Sequence, residues 1–389
     1  MRILHTSDWH VGKRLGRYDR IDETAAVIDE VVGIAEAEAV DLVVHSGDLF
    51  DRPQPPIDAL RLAFAGLSKL TAGGTRQVVV VAGNHDSPDL FETLAPYLAP
   101  AGIHLVGEIK PPTEGGLVEV DTVGGRAVVA CFPFLRQGRA VDFMAETGRW
   151  YGAYADRVRS ITEAYSEAAL QRASGDGIAI LAAHFMVTGA RVGGHGAPRG
   201  ERELHMGEAY AATTAAIPPS LGYVAMGHIH APQPVPGANV PAEYAGSLLA
   251  LDFGEAGETK RVVLVDAEPG RPASVTSVPL RSGRHLVQAT GGWDELAART
   301  DLADSYVDLV VNTDGPDPGL ADRARLAFPY LVKVRAEFER PDVERSSRHG
   351  RPLTELYAEF CVEHHGAEPS EEIATALGDL LEEVGVAPS

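Results

Sequence analysis

Five short apolar runs in the first 230 residues each end in a side chain that can bind a metal ion. Arg2–Thr6 leads into Asp8 and His10, and Asp41–Ser46 into Gly47-Asp48-Leu49-Phe50-Asp51. Gln77–Ala82 leads into Gly83-Asn84-His85-Asp86, Gly177–Ala183 into His184, and Gly222–Met226 into Gly227-His228-Ile229-His230. Carboxylate, amide and imidazole together form a donor set for divalent ions. Two such ions about 3.5–4 Å apart can activate water and hold both the attacking and the leaving oxygen of a phosphoryl transfer. The pair needs a shared anion, and Asp48 is the natural bridge. Asp8 and His10 stand two apart, so in extended backbone both point the same way and can serve one ion. His228 and His230 repeat the spacing, although a loop can send them to different ions. Asn84 adds a neutral oxygen, which limits negative charge beside an anionic substrate. Gly47, Gly83 and Gly227 permit tight turns that bring backbone close to the site.

A single His or Asp at a strand end is more often a cap or a packed polar group. Five in order point to a binuclear metal centre instead. His85 directly follows Asn84, and adjacent residues in a turn point apart, so both should not bind metal. An imidazole there faces substrate and can protonate a leaving alkoxide or stabilise the transition state. Asp86 is expected to orient His85 or brace the turn, and Asp51 to play a similar supporting part. His5 and His45 fall inside predicted strands and should be packed. His104, His285, His349, His364 and His365 lack neighbouring ligands, and His195 and His205 fall in a Gly/Arg-rich loop.

The elements that must carry these residues read as an α/β layer fold. Strands are expected over the five runs above and over Ala127–Phe132 and Arg261–Asp266, with helices over Asp22–Ala39, Pro56–Leu70, Asp89–Leu98 and Ala153–Ala173. The runs are Val- and Ile-rich with little alternation, as in strands covered on both faces. Closer strand spacing after Arg126 suggests a two-sheet sandwich flanked by helices; a doubly wound sheet is the simpler alternative. The Pro/Gly-rich stretch Asp266–Ala273 reads as the end of a first domain, 1–268. A small α+β domain over 274–340 would follow, opening on a strand Ser274–Pro279. A linker over 341–351 then leads to amphipathic helices in 352–389, with Leu353, Leu356, Tyr357 and Phe360, and then Ile373, Leu377, Leu380, Leu381 and Val384, as their apolar stripes.

With 389 residues there is room for two or three domains. A net charge of −21 argues against coating nucleic acid by bulk electrostatics. Local binding is still possible, because bound metal ions reverse the field where it matters. Lys13, Arg14, Arg17 and Arg20 cluster after the first motif, and Arg191, Arg199 and Arg202 follow His184; both sets could reach backbone phosphates. No apolar run approaches the ~18 residues of a membrane span. The absence of a signal-like N-terminus and the presence of only Cys131 and Cys361 lead us to expect a cytoplasmic protein without disulfides.

The ordered pattern Asp-x-His, Gly-Asp-x-x-Asp, Gly-Asn-His-Asp, His and Gly-His-x-His resembles the calcineurin-like metallophosphoesterases. The stretches Ile3–Lys13, Met226–Gln233 and Tyr244–Leu248 narrow the resemblance to the SbcD family of bacterial nuclease subunits. It continues through the second domain into Pro352–Glu383. The resemblance implies two manganese ions, one held by Asp8, His10, Asp48 and His230, the other by Asp48, Asn84, His184 and His228, with His85 as the catalytic histidine. It also implies 3′→5′ exonuclease action on duplex DNA and endonuclease action on single strands and hairpins. The second domain would be a cap that places DNA. The C-terminal helices would dock an SbcC-type ATPase, and the chain would form a homodimer. The insert Arg191–Arg202 departs from the family pattern. A phosphatase or cyclic-nucleotide phosphodiesterase would use the same dimetal core, and a scaffold with a decayed site would lack some of the ligands present here.

Overall fold

The computed structural model describes residues 1–136, 154–173, 175–192, 211–338 and 351–383. His195, Arg199, Arg202, His205, His349, Val384 and nearly all of the expected linker lie outside the described residues.

Two six-stranded sheets build the first compact unit, Met1–Val287. In the first, Arg2–Thr6, Leu42–His45, Gln77–Val81 and Ile103–Val106 run parallel, and Arg261–Asp266 joins antiparallel beside Arg2–Thr6. In the second, Ala242–Tyr244, Tyr223–Gly227, Ile178–His184 and Gly125–Phe132 run parallel, edged by antiparallel Gln233–Pro234 and Leu117–Thr122. Their inner faces meet in one apolar layer in which Ile3, Val44, Val79 and Val81 pack with Val129, Ile180, Ala182 and Ala225. Helices Ile21–Ala37, Ile57–Leu70 and Pro88–Leu98 cover the outside of the first sheet, and Tyr154–Arg172 covers the second. The inner strands are thus buried on both faces, which explains the uninterrupted valine runs. The architecture is the expected sandwich flanked by helices and not the doubly wound alternative.

The strand Ser274–Pro279 does not open a second domain. It pairs antiparallel with Arg261–Asp266 along its whole length and forms the edge of the first sheet. The Pro/Gly-rich stretch before it is the connection of a hairpin, a use of turn residues that composition cannot tell from a domain boundary. The second compact unit begins at Gln288. Its sheet comprises Leu286–Gly292, Tyr306–Asn312 and Leu331–Glu337, with helices Trp293–Ala297 and Leu320–Ala327. Helices Leu353–His365 and Glu371–Glu383 follow, with Leu353, Phe360, Ile373 and Leu380 exposed. Among the described residues no helix is long and apolar enough to cross a membrane.

A small polar cluster sits inside the sandwich. His5 is fully buried, with Nδ1 2.9 Å from the Tyr223 hydroxyl and Nε2 2.8 Å from Ser46 Oγ. Burial, then the charge on Arg261, push its pKa down to about 3. The unfolded chain takes up this proton near pH 6.5 while the folded one resists it, so the stability His5 contributes is full above pH 6.5. It is lost at about 1.4 kcal/mol per pH unit as pH falls toward 3. Urea midpoints measured between pH 6.5 and 4 should therefore fall more steeply for the native chain than for His5→Asn. Equal slopes would contradict the assignment.

Candidate metal centre

The carboxyl ends of the parallel strands of both sheets converge on one point. The first sheet brings Asp8, Asp48 and Asn84, and the second brings His184, His228 and His230. Two of the loops are laced together by backbone: Asp8 N–H donates to Gly47 O (2.9 Å), His10 N–H to Asp48 O (3.1 Å) and Val11 N–H to Leu49 O (3.0 Å). Asp8 and His10 are not extended, as their two-residue spacing suggested. Their φ angles are 51° and 43°, and Asp48 and His228 are also left-handed, at 54° and 86°. These four are among only six non-glycine residues with positive φ in the described chain. Such conformations cost on the order of 1–3 kcal/mol each and persist where surrounding structure imposes them, often at functional sites.

Glycine is required where the loops touch. A Cβ on Gly83 would stand 2.1 Å from Asp48 Oδ1 and 2.4 Å from the Asp48 backbone nitrogen. One on Gly47 would stand 2.1 Å from His184 Nδ1. Because backbone as well as side chain must yield, Gly83→Ala should cost about 1–3 kcal/mol and displace Asp48. Thermal melting and bound-metal analysis check this, and native metal content in the variant would contradict it.

Among the described residues the side chains form three overlapping groups, one of which is His10, Asp51 and His85. In another, Asp8, His10 and His230 bring ligand atoms within 4.8 Å of one another, and His10 Nε2 faces His230 Nε2 at 3.1 Å. In the third, Asp8, Asp48 and His184 do the same. Asn84 Oδ1 lies 3.0 Å from His184 Nε2 and 2.9 Å from His228 Nδ1. Asp48 reaches toward both of the last two groups, its Oδ2 lying 3.6 Å from His10 Nε2 and 3.3 Å from His184 Nε2. Its Oδ1 accepts from the backbone N–H of His85 (2.8 Å).

Two features fit this arrangement to cations. His184 Nδ1 is 2.8 Å from the Ser46 carbonyl, which can only accept, so a neutral His184 turns a lone pair on Nε2 toward lone pairs of Asn84 and Asp48. That is repulsive unless a proton or a metal ion lies among them. Asp8 Oδ2 is buried without a hydrogen-bond partner, a costly state for a carboxylate oxygen. The electrostatics agree. Burial opposes ionisation of Asp48, but His184, His10 and His85 outweigh it and hold its pKa well below the carboxylate range. Burial likewise opposes charge on His184, and Asp48 outweighs it and raises the imidazole.

The calcineurin-like phosphoesterase family matches residues 1–232. The SbcD component of the SbcCD nuclease of Bacillus subtilis (strain 168) is 34% identical over 98% of this chain and 97% of its own length. This chain belongs to the SbcD family of calcineurin-like phosphoesterases. The SbcD components of the SbcCD nucleases of Rhodobacter capsulatus (88% of this chain, 89% of that protein) and Escherichia coli K12 (81% and 78%) are each 30% identical. Family membership makes the chain a metal-dependent hydrolase of phosphoester bonds.

Around the candidate ligands, this SbcD-family chain places the other expected residues. His85 is half-buried and edge-on to His10 at 4.8 Å between ring centres, with Nδ1 2.8 Å from Asp51 O. Asp86 is fully buried and accepts from the N–H groups of Leu49 (3.1 Å), Phe50 (2.9 Å) and Gly83 (2.9 Å). It braces the two turns and does not contact the His85 ring through these bonds. Burial, then the Asp48 charge, push its pKa up to about 7. Asp51 pairs with Lys13 at 3.1 Å and lies 3.8 Å from His10 Nδ1.

Arg20, grouped with the possible DNA contacts, is a correction. It is 2% exposed, ion-paired with Glu23 (3.0 Å) and bonded to Ala250 O (2.6 Å), so it braces the fold and cannot reach a phosphate. Arg14 and Arg17 are exposed. The residue reading missed Glu255, whose Oε1 is 2.9 Å from His230 Nδ1. It also missed Phe134, whose ring stacks on His228 with centres 5.7 Å apart, and Arg136, which donates to Asp86 O (3.0 Å). None of these three lies in a ligand motif.

Proposed function

We propose that this chain is a manganese-dependent DNA nuclease, a 3′→5′ exonuclease on duplex ends and an endonuclease on single strands and hairpins. It works in the cytoplasm as a homodimer with an SbcC-type ATPase. The observation that carries this reading is similarity to the SbcD component of a known nuclease over 98% of the chain, through the second unit and the tail, on top of a complete ligand set.

Asp8, His10, Asp48 and His230 would hold one ion, and Asp48, Asn84, His184 and His228 the other. When bound, such a pair supplies Lewis-acid charge to a phosphodiester and makes water a nucleophile near neutral pH. The protein supplies the rest. Asp48, whose Oδ2 lies between His10 and His184, would belong to both sites. Asn84 keeps one ligand neutral, so less negative charge faces the phosphate. His85 has its Nδ1–H tied to the Asp51 carbonyl, which fixes the ring, and proton exchange with the leaving oxygen falls to Nε2. Lys13, Arg14, Arg17 and Arg191 lie on the loops beside the ligands and would hold backbone phosphates, so sequence preference should be weak. The second unit would place DNA, and the exposed Leu353, Phe360, Ile373 and Leu380 would dock the ATPase.

The test uses the full chain, with and without an SbcC-type ATPase, on end-labelled duplex and hairpin DNA across Mn, Mg and Zn. Cleavage with Mn is expected. Turnover of small phosphoesters but never of DNA would replace this reading with a phosphatase or cyclic-nucleotide phosphodiesterase. Deleting residues from Pro352 onward should abolish co-purification with the ATPase and spare metal-dependent nicking; full binding by the truncated chain would overturn the role of the tail.

A further inference from the structure

His230 is gripped at both of its polar handles by a single segment, residues 247–260. Its carbonyl accepts from Ser247 N–H (3.2 Å) and Lys260 Nζ (3.1 Å), and its ring Nδ1 is 2.9 Å from Glu255 Oε1. Glu255 is 5% exposed, and its other oxygen accepts from Lys260 Nζ (2.7 Å), Leu251 N–H (3.1 Å) and Ser247 Oγ (3.3 Å). Lys260 is 7% exposed and also pairs with Glu258 (2.9 Å). The ring of His184, on the other expected site, meets the neutral Ser46 carbonyl at Nδ1 (2.8 Å). A carboxylate behind a ligating imidazole fixes its tautomer and raises its basicity, whereas a carbonyl does less.

From this asymmetry we propose that Glu255, locked in place by Lys260, is a positioning residue that acts through His230 and makes the ion on the His230 side the tighter of the two. Glu255 touches neither substrate nor metal. It holds the His230 ring with Nε2 turned toward His10, and the buried lysine pins the carboxylate in place. The inference rests on reading His230 as a ligand, so its test must separate the two.

The experiment titrates MnCl2 into the metal-free full chain by calorimetry. The native chain should take up two ions with unequal affinities. Glu255→Gln preserves shape and leaves Lys260 its Glu258 partner, so the fold should survive, with the metal-free melting point close to native. The tighter ion should be weakened about 10–100-fold and the other left within about threefold. Combined with His230→Ala, the substitution should add no further loss, because both act on the same ligand. Two native affinities in the variant would overturn the proposal. So would equal weakening of both ions together with a lower melting point, since that is the mark of a merely structural residue. If Glu255→Gln does not fold, Lys260→Gln carries the same test: the same ion should weaken, to a lesser degree, and an unchanged ion would overturn the anchoring role. A native chain that takes up no pair of ions would sink the dimetal reading itself, an outcome distinct from all of these.

Discussion

Asp48→Asn is expected to strip the centre of bound metal and lower DNA cleavage by at least about 10³-fold. The substitution changes one atom and removes one charge. Asparagine can still accept the His85 backbone N–H on the Oδ1 side, so the turn at Gly83–Asp86 keeps its support. What disappears is the anionic oxygen that lies 3.6 Å from His10 Nε2 and 3.3 Å from His184 Nε2. Bound metal after gel filtration and the cleavage rate should fall together. Native metal content with a rate within tenfold of native would remove Asp48 from the centre of the mechanism.

His85→Ala should separate what Asp48→Asn couples. The ring lies beside the expected ligands, edge-on to His10, and its Nδ1 is held by Asp51 O, but its loss alters none of the side chains Asp8, His10, Asp48, Asn84, His184, His228 and His230 themselves. Metal content should therefore stay near two ions per chain. Cleavage should drop by about 10²–10⁴-fold, the usual worth of a positioned proton donor or acceptor. Unchanged cleavage would deny His85 any part in the chemistry. Loss of metal along with activity would make it a ligand or a prop.

How much of this was legible in the sequence depends on what kind of information each residue carries. Candidate metal ligands stand out because their types are restricted and each sits just past an apolar run, so Asp8, Asp48, Asn84 and the three second-sheet histidines could be grouped from the chain alone. The route by which they meet could not. Asp8 and His10 converge through left-handed turns that spacing alone cannot distinguish from an extended strand. Glu255 was invisible because, in sequence, Glu255, Glu258 and Lys260 look like any solvated charge cluster; only burial turns them into a clamp on His230. The opposite error befell Arg20, which sits among basic residues but spends its charge inside the fold on Glu23. Ser274–Pro279 was assigned to the wrong unit because a turn and a boundary share the same composition. The short strands Ile103–Val106, Leu117–Thr122 and Ala242–Tyr244 were missed; they hold three to six residues and carry too little periodicity to stand out.

The most direct test of the account is anomalous diffraction at the manganese edge from crystals of the full chain grown with Mn2+. Two peaks are predicted, about 3.5–4 Å apart, with Asp48 between them, His10 and His230 on one, and Asn84, His184 and His228 on the other. A lone peak, or peaks that leave Asp48 uncoordinated while the crystals' protein still cleaves DNA, would contradict it.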